Sequence, residues 1–240
     1  MLPTLIPGTL TIASAYPDPP FVIMQDGTAT GFEIELMRSV CQELGLTLRP
    51  VGYDGDDFNG IFNGLDQPSC DAVISGTTIT PERASRVLFS QPYLTFQQGV
   101  AINRRLSPHV AAISDLRGLT AGIQSGNTSD AVAKRLLAEG HIKDIRYYPY
   151  RSIGAALDDL AAGKIGLIIK LFPVLSSLVA ERADLAVVMQ VPTHEQIGIA
   201  YNKNRADLCN AVDAAIQTLR QNGTFALLQS KWFGSAAATV

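Results

Sequence analysis

Short apolar, β-branched runs alternate with amphipathic runs of helical period along almost the whole chain. That order leaves few architectures open and points to an α/β fold with largely parallel sheets. Thr9 to Ala15 reads as a strand. Phe32 to Leu44 places apolar residues at 32, 36, 37, 40, 41 and 44, with Gly45 beyond them to end a helix. Leu46 to Val51, Ala72 to Ser75, Gly99 to Ile102, Leu119 to Ile123 and Gly166 to Ile169 read as strands. Helices are expected at Ile153 to Ala162, ended by Gly163, and at Asp207 to Asn222, stopped by Gly223. The chain carries no fixed-period repeat and no low-complexity tract.

Two extended segments, Phe96 to Asn103 and Gln196 to Lys203, are suited to carry the chain from one lobe to another and back. The 240 residues suffice for two lobes of about 100 each. The expected organisation is a discontinuous lobe 1, residues 1–97 plus 198–240, with lobe 2, residues 98–197, inserted in it.

The site chemistry begins at Ser75-Gly76-Thr77-Thr78-Ile79-Thr80-Pro81-Glu82-Arg83. Thr80 is suited to cap a helix, Pro81 to be its first residue, and Arg83 then falls in the first turn. Free N–H groups, hydroxyl donors and a guanidinium that makes two parallel bonds would together take a small organic anion. A lone arginine is more often a surface ion pair; the ordered hydroxyl and glycine lead-in favours the site. A second turn, Gln124-Ser125-Gly126-Asn127-Thr128-Ser129-Asp130, follows a strand and opens the segment Ala131, Val132, Leu136, Leu137. It lacks the Gly-Lys-Ser/Thr of a triphosphate loop. Two such turns in one chain suggest a ligand held from both sides.

Other chemistries find little support. A net charge of −3 argues against nucleic acid or an anionic membrane as the main partner. The most apolar stretch, Ile165 to Ala180, is interrupted by Lys170 and Pro173, so no transmembrane helix is expected. The N-terminus lacks the basic and apolar stretches of a signal peptide, which implies an intracellular protein or a mature chain whose leader has been removed. Cys41, Cys70 and Cys209 have no metal spacing, and Cys41 and Cys209 fit apolar helix faces as core residues. His109, His141 and His194 are scattered, and no hydrolase, zinc-protease or Cys-x-x-Cys motif occurs. No catalytic residue, cofactor or metal is expected.

The chain resembles the extracellular solute-binding proteins of family 3, the periplasmic amino-acid receptors of ATP-binding-cassette (ABC) importers, from about Gly8 to Gly234. The matching blocks are Tyr16-Pro-Asp-Pro-Pro-Phe21, Gly31-Phe-Glu-Ile-Glu-Leu36, Asp71-Ala-Val-Ile-Ser-Gly-Thr-Thr-Ile-Thr-Pro-Glu-Arg83 and Val87-Leu-Phe-Ser-Gln-Pro-Tyr93. Gly122-Ile-Gln-Ser-Gly-Asn-Thr128, Gly198-Ile-Ala-Tyr201 and Lys231-Trp-Phe-Gly234 follow. The resemblance implies a two-lobed type II periplasmic-binding-protein fold with two hinge strands, closing on its ligand like a flytrap. It implies that Arg83 grips the ligand α-carboxylate beside the Thr78 hydroxyl, and that Gly76, with Ser75 next to it, meets the α-ammonium. Thr128 would complete carboxylate binding through its backbone. Phe58 would form an apolar wall of the side-chain pocket, with Gln124 and Lys170 facing the side chain from lobe 2.

Two positions depart from the family pattern. Where members carry an aspartate that pairs with the ammonium, this chain has Leu171, and a buried ammonium left partly unpaired costs several kcal/mol. The aromatic that stacks on the ligand is replaced by Asp18. Asp18 either captures a cation or sits in a proline-rich turn. Lys170 either binds a second acidic group or points into solvent. Glu195, near the return hinge, is either another ammonium partner or a solvated charge. The expected ligand is therefore a carboxylate whose amine is absent, substituted or bound elsewhere: an opine, a dicarboxylate or a carboxylated amine.

The reading that follows is a monomeric, periplasmic or otherwise extracytoplasmic receptor that binds a small carboxylate-bearing solute tightly and delivers it to the membrane permease of an ABC importer. The alternatives are the ligand-sensing domain of a receptor kinase and an enzyme similar to cyclohexadienyl dehydratases, for which Asp18 or Glu195 would be the cleft acid.

Overall fold

In a computed structural model, which describes residues 2–234, the expected alternation forms two five-stranded mixed sheets flanked by helices. In chain order the elements begin β1 (Thr9–Ala15), β2 (Ile23–Gln25), β3 (Thr28–Thr30), α1 (Phe32–Leu44), β4 (Thr47–Tyr53), α2 (Asn63–Asp66) and β5 (Ala72–Val73). Next come α3 (Pro81–Arg86), β6 (Leu88–Phe89), β7 (Leu94–Asn103), β8 (Thr120–Gln124), α4 (Ser129–Ala138), β9 (Asp144–Tyr148) and α5 (Ile153–Ala161). The last are β10 (Leu167–Leu171), α6 (Phe172–Val179), β11 (Leu185–Ile197), β12 (Ala200–Tyr201), α7 (Ala206–Gln221) and α8 (Thr224–Phe233).

Among the described residues, the first unit comprises 2–53, 61–95 and 195–234. Its sheet runs β4-β1-β5-β12-β6, parallel from β4 to β5 and antiparallel at β12. Helix α1 turns Phe32, Leu36, Met37, Val40 and Cys41 of the expected stripe inward and buries Ile34 and Glu33 as well, while Leu44 is only half-buried; Gly45 ends the helix in the left-handed conformation. Phe32 packs edge-on against Phe225 at 5.7 Å, which ties α8 to α1.

The second unit comprises residues 54–60 and 96–194, with sheet order β11-β7-β10-β8-β9. Strands β8, β9 and β10 are parallel, while β7 runs antiparallel to β10. The period of two along β10 sends Leu167 and Ile169 into one core with Val132 and Leu136 of α4. Ile168 goes into the other, with Leu157 and Leu175.

The chain enters the second unit at Phe96 within β7 and leaves it at His194 within β11. The return differs from expectation. Gln196 to Lys203 is not one long strand: β11 ends at Ile197, and Ala200–Tyr201 is a separate strand of the first sheet. The segment Asp54–Gly60, expected in lobe 1, groups with the second unit. Among the described residues, no helix is long and apolar enough to cross a membrane.

Candidate functional site

In the first unit, parallel pairing of β5 with β1 carries the chain to the carboxyl edge of the sheet, where α/β folds hold ligands. The expected turn follows. The Ser75 hydroxyl accepts the Ala15 N–H at 3.0 Å, so this side chain serves the scaffold. Gly76 adopts φ 53°, and a Cβ there would meet the Phe21 ring at 3.3 Å; both favour glycine. Its N–H donates to Glu33 Oε1 at 2.8 Å.

Thr80 caps α3 as expected, its hydroxyl accepting the Arg83 N–H at 3.1 Å, with Pro81 as first residue. Six residues of helix supply little dipole, so the charge of this region is the guanidinium itself. Arg83 is 7% exposed; its Nη1 donates to the Thr78 carbonyl at 3.0 Å and its guanidinium lies 5.6 Å from the Phe62 ring centre. On the other side of the same residue, the Thr78 hydroxyl donates to Glu195 Oε2 at 2.5 Å. Glu195 is 8% exposed, which removes the solvated reading. Asp18 is 5% exposed and does sit in a turn, its carbonyl accepting the N–H groups of Phe21 and Val22.

In the second unit, β8 and β10 end side by side at Gln124 and Leu171. Lys170 is 4% exposed, so it does not point into solvent. Its Nζ donates to Gln124 Oε1 at 2.9 Å and lies 5.2 Å from the Tyr150 ring centre. The Gln124 amide nitrogen donates to the Tyr150 carbonyl, which fixes the amide orientation. The Phe58 ring packs on Tyr150 at 5.0 Å, and the Phe58 N–H donates to the Ser125 carbonyl at 3.1 Å. Thr128 lies at the start of α4, its hydroxyl accepting the Gln98 side-chain amide at 3.2 Å. Leu171 is buried at the start of α6, and no side chain caps that helix.

Each unit thus carries a compact polar cluster at strand ends. The first combines Arg83, Thr78 and Glu195, and is suited to the charged end of a zwitterion. The second combines a buried ammonium, an amide and two aromatic rings, and is suited to a polar or acidic group carried on an apolar stem. Glu33 and Tyr150 carry no sequence signal of their own as site residues. Glu33 lies in the Gly31-Phe-Glu-Ile-Glu-Leu36 block, while Tyr150 falls in a short 3-10 turn. Among the described residues, no group of three or more His, Cys, Asp or Glu is placed to hold a metal ion. Cys41, Cys70 and Cys209 are all free and buried; burial pushes the Cys41 thiol up to about 12 and the other two to about 11.

Two mixed α/β units, joined by strands that pass between them and each bearing polar residues at strand ends, define the class of two-lobed binding proteins. Residues 10–235 match the bacterial extracellular solute-binding proteins, family 3, and the chain belongs to that family. It is 28% identical over 232 residues to the L-cystine-binding protein TcyJ of Escherichia coli (strain K12), covering 95% of this chain and 84% of TcyJ. An ancestral arginine-binding protein, solved with arginine and with glutamine, superposes with a TM-score of 0.84 at 27% identity, covering 95% of this chain and 99% of that one. The ancestral amino-acid-binding protein AncCDT-1, a precursor of cyclohexadienyl dehydratase, superposes at 0.83 with 30% identity, covering 95% and 96%.

Proposed function

We propose that this protein is an extracytoplasmic receptor for an amino acid or a close derivative, which it passes to the permease of an ABC importer. The observation that carries the reading is Arg83: a buried guanidinium fixed through the Thr78 carbonyl at the end of a capped turn. The names of relatives that bind L-cystine, arginine and glutamine support the solute class. Arg83 takes the carboxylate with two parallel charge-assisted bonds. Lys170, Gln124, Tyr150 and Phe58 read the rest of the solute.

Calorimetry tests this with L-arginine, L-cystine, L-glutamine, L-glutamate and the amine-free acids of the same length. Binding of at least one carboxylate at micromolar concentration or below is expected; no heat with any of them would contradict the reading. AncCDT-1 makes turnover of prephenate the appropriate enzyme control. We propose a binder, so prephenate is expected to remain intact after prolonged incubation, and its conversion would reassign the protein as a dehydratase.

A further inference from the structure

We propose that the second unit carries a further ligand site, a groove between α6 and β11 that takes a small carboxylate borne on an apolar body. The groove encloses about 460 Å³, within the size range of small-molecule pockets, and every residue that lines it falls within 96–194. None of Lys170, Gln124, Tyr150 and Phe58 lines it.

Helix α6 is more apolar than one buried face requires. It turns Pro173, Val174 and Leu175 inward, and Leu175 and Val179 join the core with Leu157. Phe172, Ser176 and Ala180 recur at a spacing of four and form a second stripe, which faces the groove. Opposite lie Leu185 and Val187, at the start of β11. The order β11-β7-β10-β8-β9 leaves β11 at the rim of its sheet, so no neighbouring strand covers that side. Gly99 of β7 makes room for the Phe172 ring, since a Cβ there would lie 3.3 Å from that ring and from Val187 Cγ1. The half-buried ring therefore packs on the sheet beside Val187, and the rest of its surface lines the groove.

Charge then sets what the groove accepts. Both charged residues that line it are arginines. Arg182 Nη1 donates to Asp158 Oδ1 at 2.8 Å, so that charge is already balanced. Arg104 is exposed, and its backbone N–H is held by the Asp184 carbonyl at 2.8 Å. The Asp184 carboxylate faces Arg105 instead, at 3.8 Å. Among the described residues, neither the Arg104 guanidinium nor the Ser176 hydroxyl has a partner in the protein.

One unbalanced cation beside an apolar floor selects an anion with an apolar body. Burial of that body supplies most of the affinity, while a solvent-exposed guanidinium adds a few-fold and decides the sign of the charge. Small hydrophilic anions lack the first contribution, and organic amines lack the second.

Protein-observed ¹⁵N NMR titration with 4-phenylbutanoate tests this, because it reports where the compound binds. Amide shifts at Ala180, Ala183 and Ala186 are expected to saturate at low millimolar concentration. Acetate and 4-phenylbutylamine are each expected to bind there at least about fivefold more weakly. Arg104→Gln is expected to weaken 4-phenylbutanoate about threefold to fivefold and to abolish its advantage over the amine. Ser176→Phe, which fills the groove from a half-buried helix position, is expected to remove the shifts, with circular dichroism melts reporting the fold of both variants. Shifts confined to Arg83 and Thr78, an equal response to acid and amine, or no response at all would overturn the inference. Shifts of the same amides on dilution of the protein alone would assign this face to a second copy of the chain and overturn it as well. None of these outcomes bears on amino-acid binding, which calorimetry measures separately.

Discussion

The Gly76 N–H donates to Glu33 Oε1 across 2.8 Å, so the first turn of α1 holds the loop that leads to Arg83. The Tyr93 hydroxyl donates to the same oxygen, and Oε2, among the described residues, is buried without a hydrogen-bond partner. Burial dominates the energetics and pushes this carboxyl up from 4.5 to about 8, against the lowering effect of the Tyr93 and Gly76 bonds; the charge of Asp18 adds to the rise.

Stability should therefore fall as pH rises from about 4.5 to about 8. Below this window both folded and unfolded chains hold the Glu33 proton. Within it the unfolded chain releases the proton while the fold retains it, and above it the penalty stays constant. Glu33→Gln removes the titration and keeps an oxygen for Gly76 and Tyr93. Urea unfolding of both proteins across pH 5 to 8.5 is expected to show their stabilities diverging in favour of the variant by a few kcal/mol toward high pH. Parallel profiles would refute the assignment.

Gly126 adopts φ 79°, and a Cβ on it would lie 2.3 Å from Asp57 Oδ1 and 2.6 Å from the Phe58 nitrogen. Gly126→Ala meets both backbone strain and collision, the second with main chain that cannot swing aside. A loss of about 2 kcal/mol or more is expected on chemical unfolding. Wild-type stability in this variant would mean that the turn and the 54–60 segment are not packed as described.

Lys170 keeps its ammonium at the Gln124 carbonyl oxygen and over Tyr150. If it reads the distal end of the solute, Lys170→Met lowers affinity for L-glutamate at least about tenfold more than for L-glutamine. Competition binding with the two compounds measures this. An equal change for both would remove Lys170 from side-chain recognition.

Leu171→Asp restores the carboxylate of the family pattern at a position that also opens α6, where aspartate is a favourable cap. Affinity for an α-amino acid is expected to rise several-fold in Leu171→Asp, as calorimetry will measure. Unchanged affinity would place the ammonium away from this position.

The parts of the site legible in the sequence are those set by local chemistry. Thr80, Pro81 and Arg83 form a cap and a first turn whose geometry depends on neighbours three residues apart, and the structure has that cap. Gln124 and Lys170 fall at strand ends that the apolar runs mark. What escaped is long-range. The link from Glu33 to Gly76 spans 43 residues and that from Thr78 to Glu195 spans 117, and no periodicity encodes either. Strand β11 escaped for another reason: Pro192 and the polar run Thr193 to Gln196 interrupt its apolar pattern, although the strand runs on to Ile197 past His194, which adopts φ 49°. Burial of Lys170 and Glu195 is likewise a property of what packs around them, so composition alone left solvent as an alternative for both.

The most direct measurement is calorimetry of Arg83→Ala beside wild type, with whichever of L-arginine, L-cystine or L-glutamine the wild type binds, and with circular dichroism on the same samples. Loss of at least about a hundredfold in affinity is expected in a protein that melts within about 5 °C of wild type. A folded Arg83→Ala protein that binds as tightly as wild type would contradict the account.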